Sequence, residues 1–142
     1  MADRKVVGWS SSEGMTTQNT VMAAWMSATK SRNIIDGFIF HSDRVVQYAS
    51  NKMTNRFYFN RKVRQSMSRK GNCWDNAVAE SFSKTIKNEW LYRFKFNSYS
   101  QLYDSIYDYI SCYNNERIHS TLGYLSPLEM EIKLRGFINK AA

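Results

Sequence analysis

An aspartate follows a short apolar run within the stretch "GFIFHSDRVVQYAS" at residues 37–50. Residues 38–40 have the composition of a buried strand, and Asp43 follows them after one histidine and one serine. A lone aspartate at such a place is ordinarily a solvated loop residue. The alternative is a ligand for a hard cation such as Mg²⁺, which prefers carboxylate oxygens. That interpretation requires a partner carboxylate elsewhere in the chain.

Glu80 precedes Lys84 by four residues and Lys87 by seven, so the three side chains would project from one face of a helix. Compensation of the helix dipole is one ordinary explanation, but it fits Asp75 better than Glu80. A surface ion pair between Glu80 and Lys84, worth a few tenths of a kcal/mol, is another. Alternatively, the face presents a carboxylate for Mg²⁺ and two cations for the flanking phosphates of a phosphodiester.

Two-metal phosphoryl transfer is the chemistry that such groups could perform. One ion activates the attacking hydroxyl and the other stabilises the leaving oxygen, with the ions roughly 3.5–4 Å apart. A pair of ions normally needs a third carboxylate beside Asp43 and Glu80. Spacing alone therefore indicates this site only weakly.

The elements that must position these residues are mixed, with strands early and helices late. Hydrophobic periodicity predicts strands at 5–9, 38–41 and 62–67. Between them it predicts a helix capped at Thr16 or Thr17 and a weaker helix over 50–60. The apolar face of the first helix comprises Val21, Met22, Trp25 and Met26.

Three further helices are predicted after a polar loop at 68–77. They cover about 75–94, 98–115 and the segment from Ser126 onwards, and the last two begin with capping boxes. The middle helix carries an apolar stripe that predicts core packing and no cofactor site. The stripe comprises Tyr99, Leu102, Tyr103, Ile106, Tyr109, Ile110 and Tyr113.

The net charge of +8 is concentrated in one part of the chain. Residues 52–95 contain eleven Lys or Arg and three acids, which accounts for the whole excess. Such a segment suits a polyanion, because each neutralised phosphate releases counterions. A solvated basic face that maintains solubility is the alternative.

Composition excludes several other classes of protein. With 142 residues the chain suffices for one domain, and no apolar run approaches the roughly 20 residues of a membrane span. Residues 1–10 contain no apolar h-region, so we do not expect them to form a secretory signal. Cys73 and Cys112 show no ligand spacing with His41 and His119, which argues against a zinc site or a disulfide scaffold. A cytoplasmic location is expected.

Three long motifs resemble the integrase-type core of bacterial insertion-sequence transposases, in the superfamily of retroviral integrases. They are "FHSDRVVQYAS", "RQSMSRKGNCWDNAVAESFSKTIKNEWLYR" and "YNNERIHSTLGYLSPLEME". The resemblance covers nearly the whole chain. It implies a ribonuclease-H-like fold, a D, D, E triad that binds Mg²⁺ or Mn²⁺, and nucleoid-associated action on DNA. In that chemistry, element ends are cut and their 3′ hydroxyls are joined to target DNA.

The resemblance also implies a role for individual residues. Asp43 matches the second triad aspartate and Glu80 matches the triad glutamate. Residues 68–76 match the loop beside the active site. The DNA-binding residues implied by the resemblance are Arg69, Lys70, Asn72, Trp74, Asn76, Lys84 and Lys87.

The sequence departs from the family at four points. The first triad aspartate would fall just before Met1, and Asp3 occupies a serine position instead. By the same resemblance we expect the first two strands of the fold to be absent, which predicts an incomplete sheet within a single partial domain over 1–142. Val45 replaces a usual glycine, and Ser83 replaces a usual phenylalanine.

Three functions remain open on this basis. The chain is expected to be a transposase core that is inactive alone, or else a non-catalytic DNA-binding remnant that co-assembles with an intact transposase. A nuclease of the same fold is disfavoured by the transposase-specific motif at 113–127. DNA is the expected partner, without a membrane or a small-molecule substrate, and the open strand edge predicts a homo-oligomer.

Overall fold

Residues 3–14, 16–43, 47–59, 62–69 and 76–141 are described by the computed structural model of the chain. Within them the fold is mixed α/β, with a two-stranded sheet and five α-helices. The chain divides into two compact units, Val7–Ser81 and the combination of Met1–Val6 with Phe82–Ala142. A single domain over the whole chain stays a prediction.

The sheet consists of β1 (Phe38–Ser42) and β2 (Val63–Met67), which run parallel. Their register pairs Phe38 with Val63 and Ser42 with Met67. Gly37 precedes β1 with φ of 80°, a conformation that glycine adopts without steric cost. The predicted strands at 38–41 and 62–67 are confirmed.

Two helices cover the sheet in the unit Val7–Ser81. A π-helical turn, Gln18–Met22, leads into α1 (Ala23–Ser31), and α2 spans Asn51–Tyr58. The predicted threonine cap forms at Thr16, whose hydroxyl accepts a hydrogen bond from the Asn19 backbone N–H at 3.2 Å. The buried core of this unit consists of Trp25, Met53, Phe57 and Val63. Of the predicted apolar face of α1, Met26 is 45% exposed and lies outside that core.

The predicted strand at 5–9 is wrong, because side chains rather than a neighbouring strand satisfy its backbone. The Asn114 amide pairs with both backbone polar groups of Val6, at 2.9 Å each, while the Ser31 hydroxyl donates to the Val7 carbonyl. Gly8 lies directly against α1, where a Cβ atom would meet the Ala28 backbone nitrogen at 2.3 Å. The segment therefore belongs to no sheet.

Three further helices follow: α3 (Ala77–Glu89), α4 (Tyr99–Asn115) and α5 (Pro127–Ala141). The second unit contains α4, α5 and the part of α3 from Phe82 onwards. The predicted helix over 75–94 ends earlier than expected. After Glu89 the backbone leaves the helix at Trp90, whose φ is −133°, and a 3₁₀ turn follows at Leu91–Arg93. The indole N–H of Trp90 donates to Ser105 Oγ at 2.6 Å, so a tertiary contact fixes the break.

Both predicted capping boxes form, but only one is complete. Ser126 and Glu129 exchange hydrogen bonds at 3.3 and 2.7 Å, as in a standard box. Ser98 Oγ accepts from the Gln101 N–H at 3.2 Å, whereas the Gln101 side chain accepts from the Asn97 N–H instead of that of Ser98.

The apolar stripe of α4 is core only in its second half. Tyr109 and Tyr113 are buried with Ile86 of α3, while Tyr99 and Tyr103 are 38% and 42% exposed. The prediction that the whole stripe is core is therefore wrong for its first two turns. No helix among the described residues is long and apolar enough to cross a membrane.

Candidate metal site and nucleic-acid interface

The carboxyl ends of β1 and β2 form one edge of the parallel sheet, the edge at which open α/β sheets usually bind ligands. Asp43 follows β1 and Arg69 follows β2 by two residues, so the pairing brings both to this edge. The Ser68 N–H donates to the Ser42 carbonyl at 2.9 Å, and the His41 ring nitrogens lie 3.0 and 3.2 Å from the hydroxyls of Ser66 and Ser68. These hydrogen bonds fix the edge from which Asp43 projects.

Asp43 is half-buried beside Tyr48. Burial raises the pKa of the Tyr48 hydroxyl, and the negative charge of Asp43 raises it further. The Gln65 amide donates to the Tyr48 carbonyl at 3.0 Å, which links Tyr48 to β2. Tyr48 is therefore held near Asp43 at the carboxyl end of the sheet.

Helix α3 presents the second candidate carboxylate. Glu80, Lys84 and Lys87 are all exposed on it, at spacings that place them on one face. The opposite face carries Phe82 and Ile86, which pack in the core with Tyr113 and its neighbours. Their burial fixes the rotation of the helix and directs the charged face to solvent.

Asp43 and Glu80 both belong to the unit Val7–Ser81. Their carboxylates suit Mg²⁺ or Mn²⁺ chemically, because these are hard oxygen donors. Among the described residues, however, no three side chains of Asp, Glu, His or Cys are grouped so that they could hold a metal ion. A two-metal centre normally needs more protein ligands than these two supply.

The other sequence-predicted residues have different outcomes. Arg69 is exposed, and Asn76 is half-buried immediately before α3. Asp3 is buried, and its carboxylate accepts from the Lys5 N–H at 3.2 Å. Ser83 is exposed on α3. The residues that lie outside the described part of the chain are Val45, Lys70, Asn72 and Trp74.

The Lys and Arg side chains of the basic segment at 52–95 are exposed wherever the structure describes them. Lys62 and Arg69 are exposed like the others, although both also have partners. An exposed set of cations can approach the phosphates of a polyanion directly. The set comprises Lys52, Arg56, Lys62, Arg64, Arg69, Lys84, Lys87, Arg93 and Lys95.

A charged network that sequence reasoning missed anchors the C-terminal end of α3. Arg117 binds Glu89 through two hydrogen bonds of 2.6 and 3.0 Å, and the Tyr109 hydroxyl donates to the same carboxylate at 3.0 Å. The guanidinium holds the pKa of Glu89 below its usual value, while burial raises the pKa of Tyr109. The partners are distant in sequence, and only the motif "NNERIH" hinted at a role for Arg117.

His119 completes this anchor on the aromatic side. Its ring lies edge-on to Tyr113 with centroids 4.9 Å apart, and Arg117 Nη1 lies 3.4 Å from His119 Nδ1. Burial lowers the pKa of His119, and the neighbouring positive charge of Arg117 lowers it further. A neutral imidazole at this place is consistent with its position against an arginine.

Part of the chain matches a known protein family, and most of it matches known proteins. Residues 61–127 match the integrase core domain. The chain is 38% identical over 131 residues to the transposase for insertion sequence element IS904 of Lactococcus lactis, which covers 90% of this chain and 50% of that protein. It is 38% identical over 135 residues to transposase InsF for insertion sequence IS3A of Escherichia coli, covering 92% and 45%. The chain spans about half the length of the curated relatives it matches. The chain is thus similar over most of its length to parts of two insertion-sequence transposases, and residues 61–127 are similar to the integrase core domain.

Proposed function

We propose that this chain provides the DNA-acting core of an insertion-sequence transposase with a ribonuclease-H-like fold. The reaction class is cleavage of DNA at element ends and transfer of the 3′ hydroxyls to target DNA. The observation that carries the proposal is the face of α3, where one carboxylate and two lysines are exposed together. A relative named as a transposase, at 38% identity over most of this chain, supports the same reaction class.

Within this proposal the two carboxylates are the metal ligands. Asp43 and Glu80 would hold Mg²⁺ or Mn²⁺, whose chemistry when bound is charge neutralisation at the reacting phosphate. The lysines of α3 orient the flanking phosphates, and the network at Glu89 keeps α3 from rotating. Around them, Arg69 and Lys70 would contact phosphate, whereas bases or sugars would be contacted by Asn72, Trp74 and Asn76.

Non-catalytic DNA binding is the second candidate, as expected of a remnant that co-assembles with an intact transposase. The specific observation in its favour is the uniform exposure of the described cations at 52–95. A catalytic role would not require so many exposed cations. Phosphate contacts alone supply essentially all non-specific DNA affinity. In both candidates DNA is the partner, and the proposed location is the cytoplasm, in association with the nucleoid.

We expect this chain alone to bind labelled terminal-repeat DNA and to yield neither end cleavage nor strand transfer in Mg²⁺ or Mn²⁺. The reason is that positioning and metal charge supply most of the catalysis in phosphoryl transfer, and the described residues offer two candidate ligands. Gel analysis of cleaved and joined products measures both outcomes. Robust metal-dependent cleavage that Glu80→Gln abolishes would show that a third acid is supplied and would contradict the expected inactivity. If the chain did not bind this DNA at all, the proposed function itself would be overturned.

We also propose that the chain associates with itself. Within the described residues β1 pairs with β2 alone, and Ile39 on β1 is 63% exposed. An exposed apolar strand recruits other strands, and a lysine on it prevents such pairing. Light scattering at micromolar concentration should therefore show a dimer for the unmodified chain and a shift towards monomer for Ile39→Lys.

The matched control for this test is Ile118→Lys, at an isoleucine that is 60% exposed outside the sheet. We expect that variant to retain the mass of the unmodified chain. A clean monomer with cooperative unfolding for the unmodified protein would show that the strand edge is not an association site.

A further inference from the structure

An aromatic cleft lies in the unit that contains Phe82–Ala142. It is bounded by the segment 90–97 and the first turns of α4, and its volume is about 280 Å³. Clefts that hold small ligands occupy roughly 300–1,000 Å³, so this one has room for a single planar ring system. Its lining comprises Trp90, Phe94, Lys95, Phe96, Asn97, Gln101 and Ser105.

Two aromatic side chains form the wall of the cleft: Trp90 is held by neighbouring side chains, and Phe94 is exposed to solvent. Trp90 is fixed by its 2.6 Å hydrogen bond to Ser105 and by Tyr109, whose ring centroid lies 5.7 Å away. The Phe94 ring is inclined by 54° to that of Trp90 at a centroid distance of 4.9 Å, and the residue is 50% exposed. A fixed indole beside an exposed phenyl ring offers a planar partner a surface on which to stack.

Polar groups at the rim favour a particular kind of ring. The Gln101 side-chain oxygen accepts from the Asn97 N–H at 2.9 Å, which leaves the amide NH₂ group of Gln101 without a partner among the described residues. Lys95 is exposed, forms no ion pair within the same part of the chain, and is the last cation of the basic segment 52–95. The cleft therefore combines stacking surfaces, a free donor and a positive charge.

We propose that this cleft binds one unstacked nucleobase of single-stranded DNA, with a flanking phosphate at Lys95. The inference rests on the proposed function, since DNA is the partner there, but it adds a site that duplex DNA does not use. Stacking on aromatic side chains tolerates any base, because every base has a π-face, and a nearby cation follows the backbone. An aromatic side chain of a protein partner could stack on the same rings, but it carries no phosphate for Lys95 to bind.

Binding of oligothymidylate of about eight nucleotides tests the proposal, because single-strand sites span about 4–16 nucleotides. We expect Phe94→Ala to weaken binding of this probe at least about fivefold, as loss of one stacked base does. The control is Tyr92→Ala, since Tyr92 is 74% exposed in the neighbouring turn and does not line the cleft. Binding by the control should stay close to that of the unmodified chain.

Two further probes separate this inference from the proposed function. An oligonucleotide of the same length with abasic sugars keeps the phosphates and removes the bases, so Phe94→Ala should leave its binding unchanged. Duplex DNA of the same length should likewise be insensitive to Phe94→Ala. Loss of all binding by the unmodified chain would overturn the proposed function. Salt-dependent duplex binding, together with unchanged oligothymidylate binding in Phe94→Ala, would overturn this inference alone. The same conclusion would follow if Phe94→Ala weakened binding of the abasic probe equally, or if it changed the oligomeric mass of the protein.

Discussion

Replacement of Lys84 and Lys87 together by alanine is expected to flatten the plot of log K against log salt for duplex DNA by about two units. Each phosphate contact contributes about 0.9 to this slope, and the two lysines are exposed on one face of α3. Between 50 and 200 mM salt, two such contacts account for roughly a tenfold loss of affinity. Fluorescence anisotropy of a labelled duplex across that range measures the slope.

A matched pair of lysines provides the control for this result. Lys30 on α1 and Lys133 on α5 are also exposed, and both lie outside the segment 52–95. Their joint replacement by alanine removes the same charge, yet we expect it to change the slope much less. Equal effects of the two double variants would mean that net charge, and not the face of α3, determines DNA binding.

Replacement of Met53 by alanine is expected to lower the free energy of unfolding by about 2–5 kcal/mol. Met53 is fully buried, with 0% exposure, in the core that α2 forms with Trp25, Phe57 and Val63. Its removal leaves a cavity in the core beneath the sheet from which Asp43 projects. Urea denaturation followed by near-ultraviolet circular dichroism measures the change.

Met26 on α1 provides the control for the cavity effect, because it is 45% exposed. Met26→Ala removes the same atoms from a surface position and should cost at most about 0.5 kcal/mol. A comparable loss of stability in the two variants would contradict the placement of Met53 in the core and Met26 at the surface.

Locally determined features could be predicted from the sequence. The box at Ser126 and Glu129 closes through residues three apart, and the cap at Thr16 depends on the next helical turn. The strands at 38–41 and 62–67 were identified by composition and flanking turns. Glu80, Lys84 and Lys87 share an exposed face because helical spacing alone determines it.

Features that depend on distant partners could not be predicted in this way. Residues 5–9 have the composition of a strand, yet the backbone of Val6 forms its hydrogen bonds with the Asn114 side chain, more than a hundred positions away. The end of α3 depends on the hydrogen bond from the Trp90 indole N–H to Ser105 Oγ, which no periodic pattern in the sequence reveals. The anchor between Glu89 and Arg117 likewise joins residues whose separation in sequence carries no signal.

The candidate site depends both on local sequence patterns and on contacts between residues that are distant in the sequence. The position of Asp43 at the end of β1 follows from the local pattern, and that of Glu80 follows from its helix. Whether the two carboxylates share one ion depends on tertiary geometry that neither pattern contains. Their common role therefore stays a proposal that one experiment can address.

Paramagnetic broadening by Mn²⁺ of the backbone amide signals, in a ¹⁵N-labelled chain, tests that proposal most directly. If Asp43 and Glu80 hold one ion, the signals next to both residues should broaden over the same concentration range, which we expect to be about millimolar because the protein supplies few ligands. Asp43→Asn should then remove the broadening at both places, and Glu80→Gln should do the same. Broadening at only one of them, or broadening near Glu80 that persists in Asp43→Asn, would contradict a shared metal site.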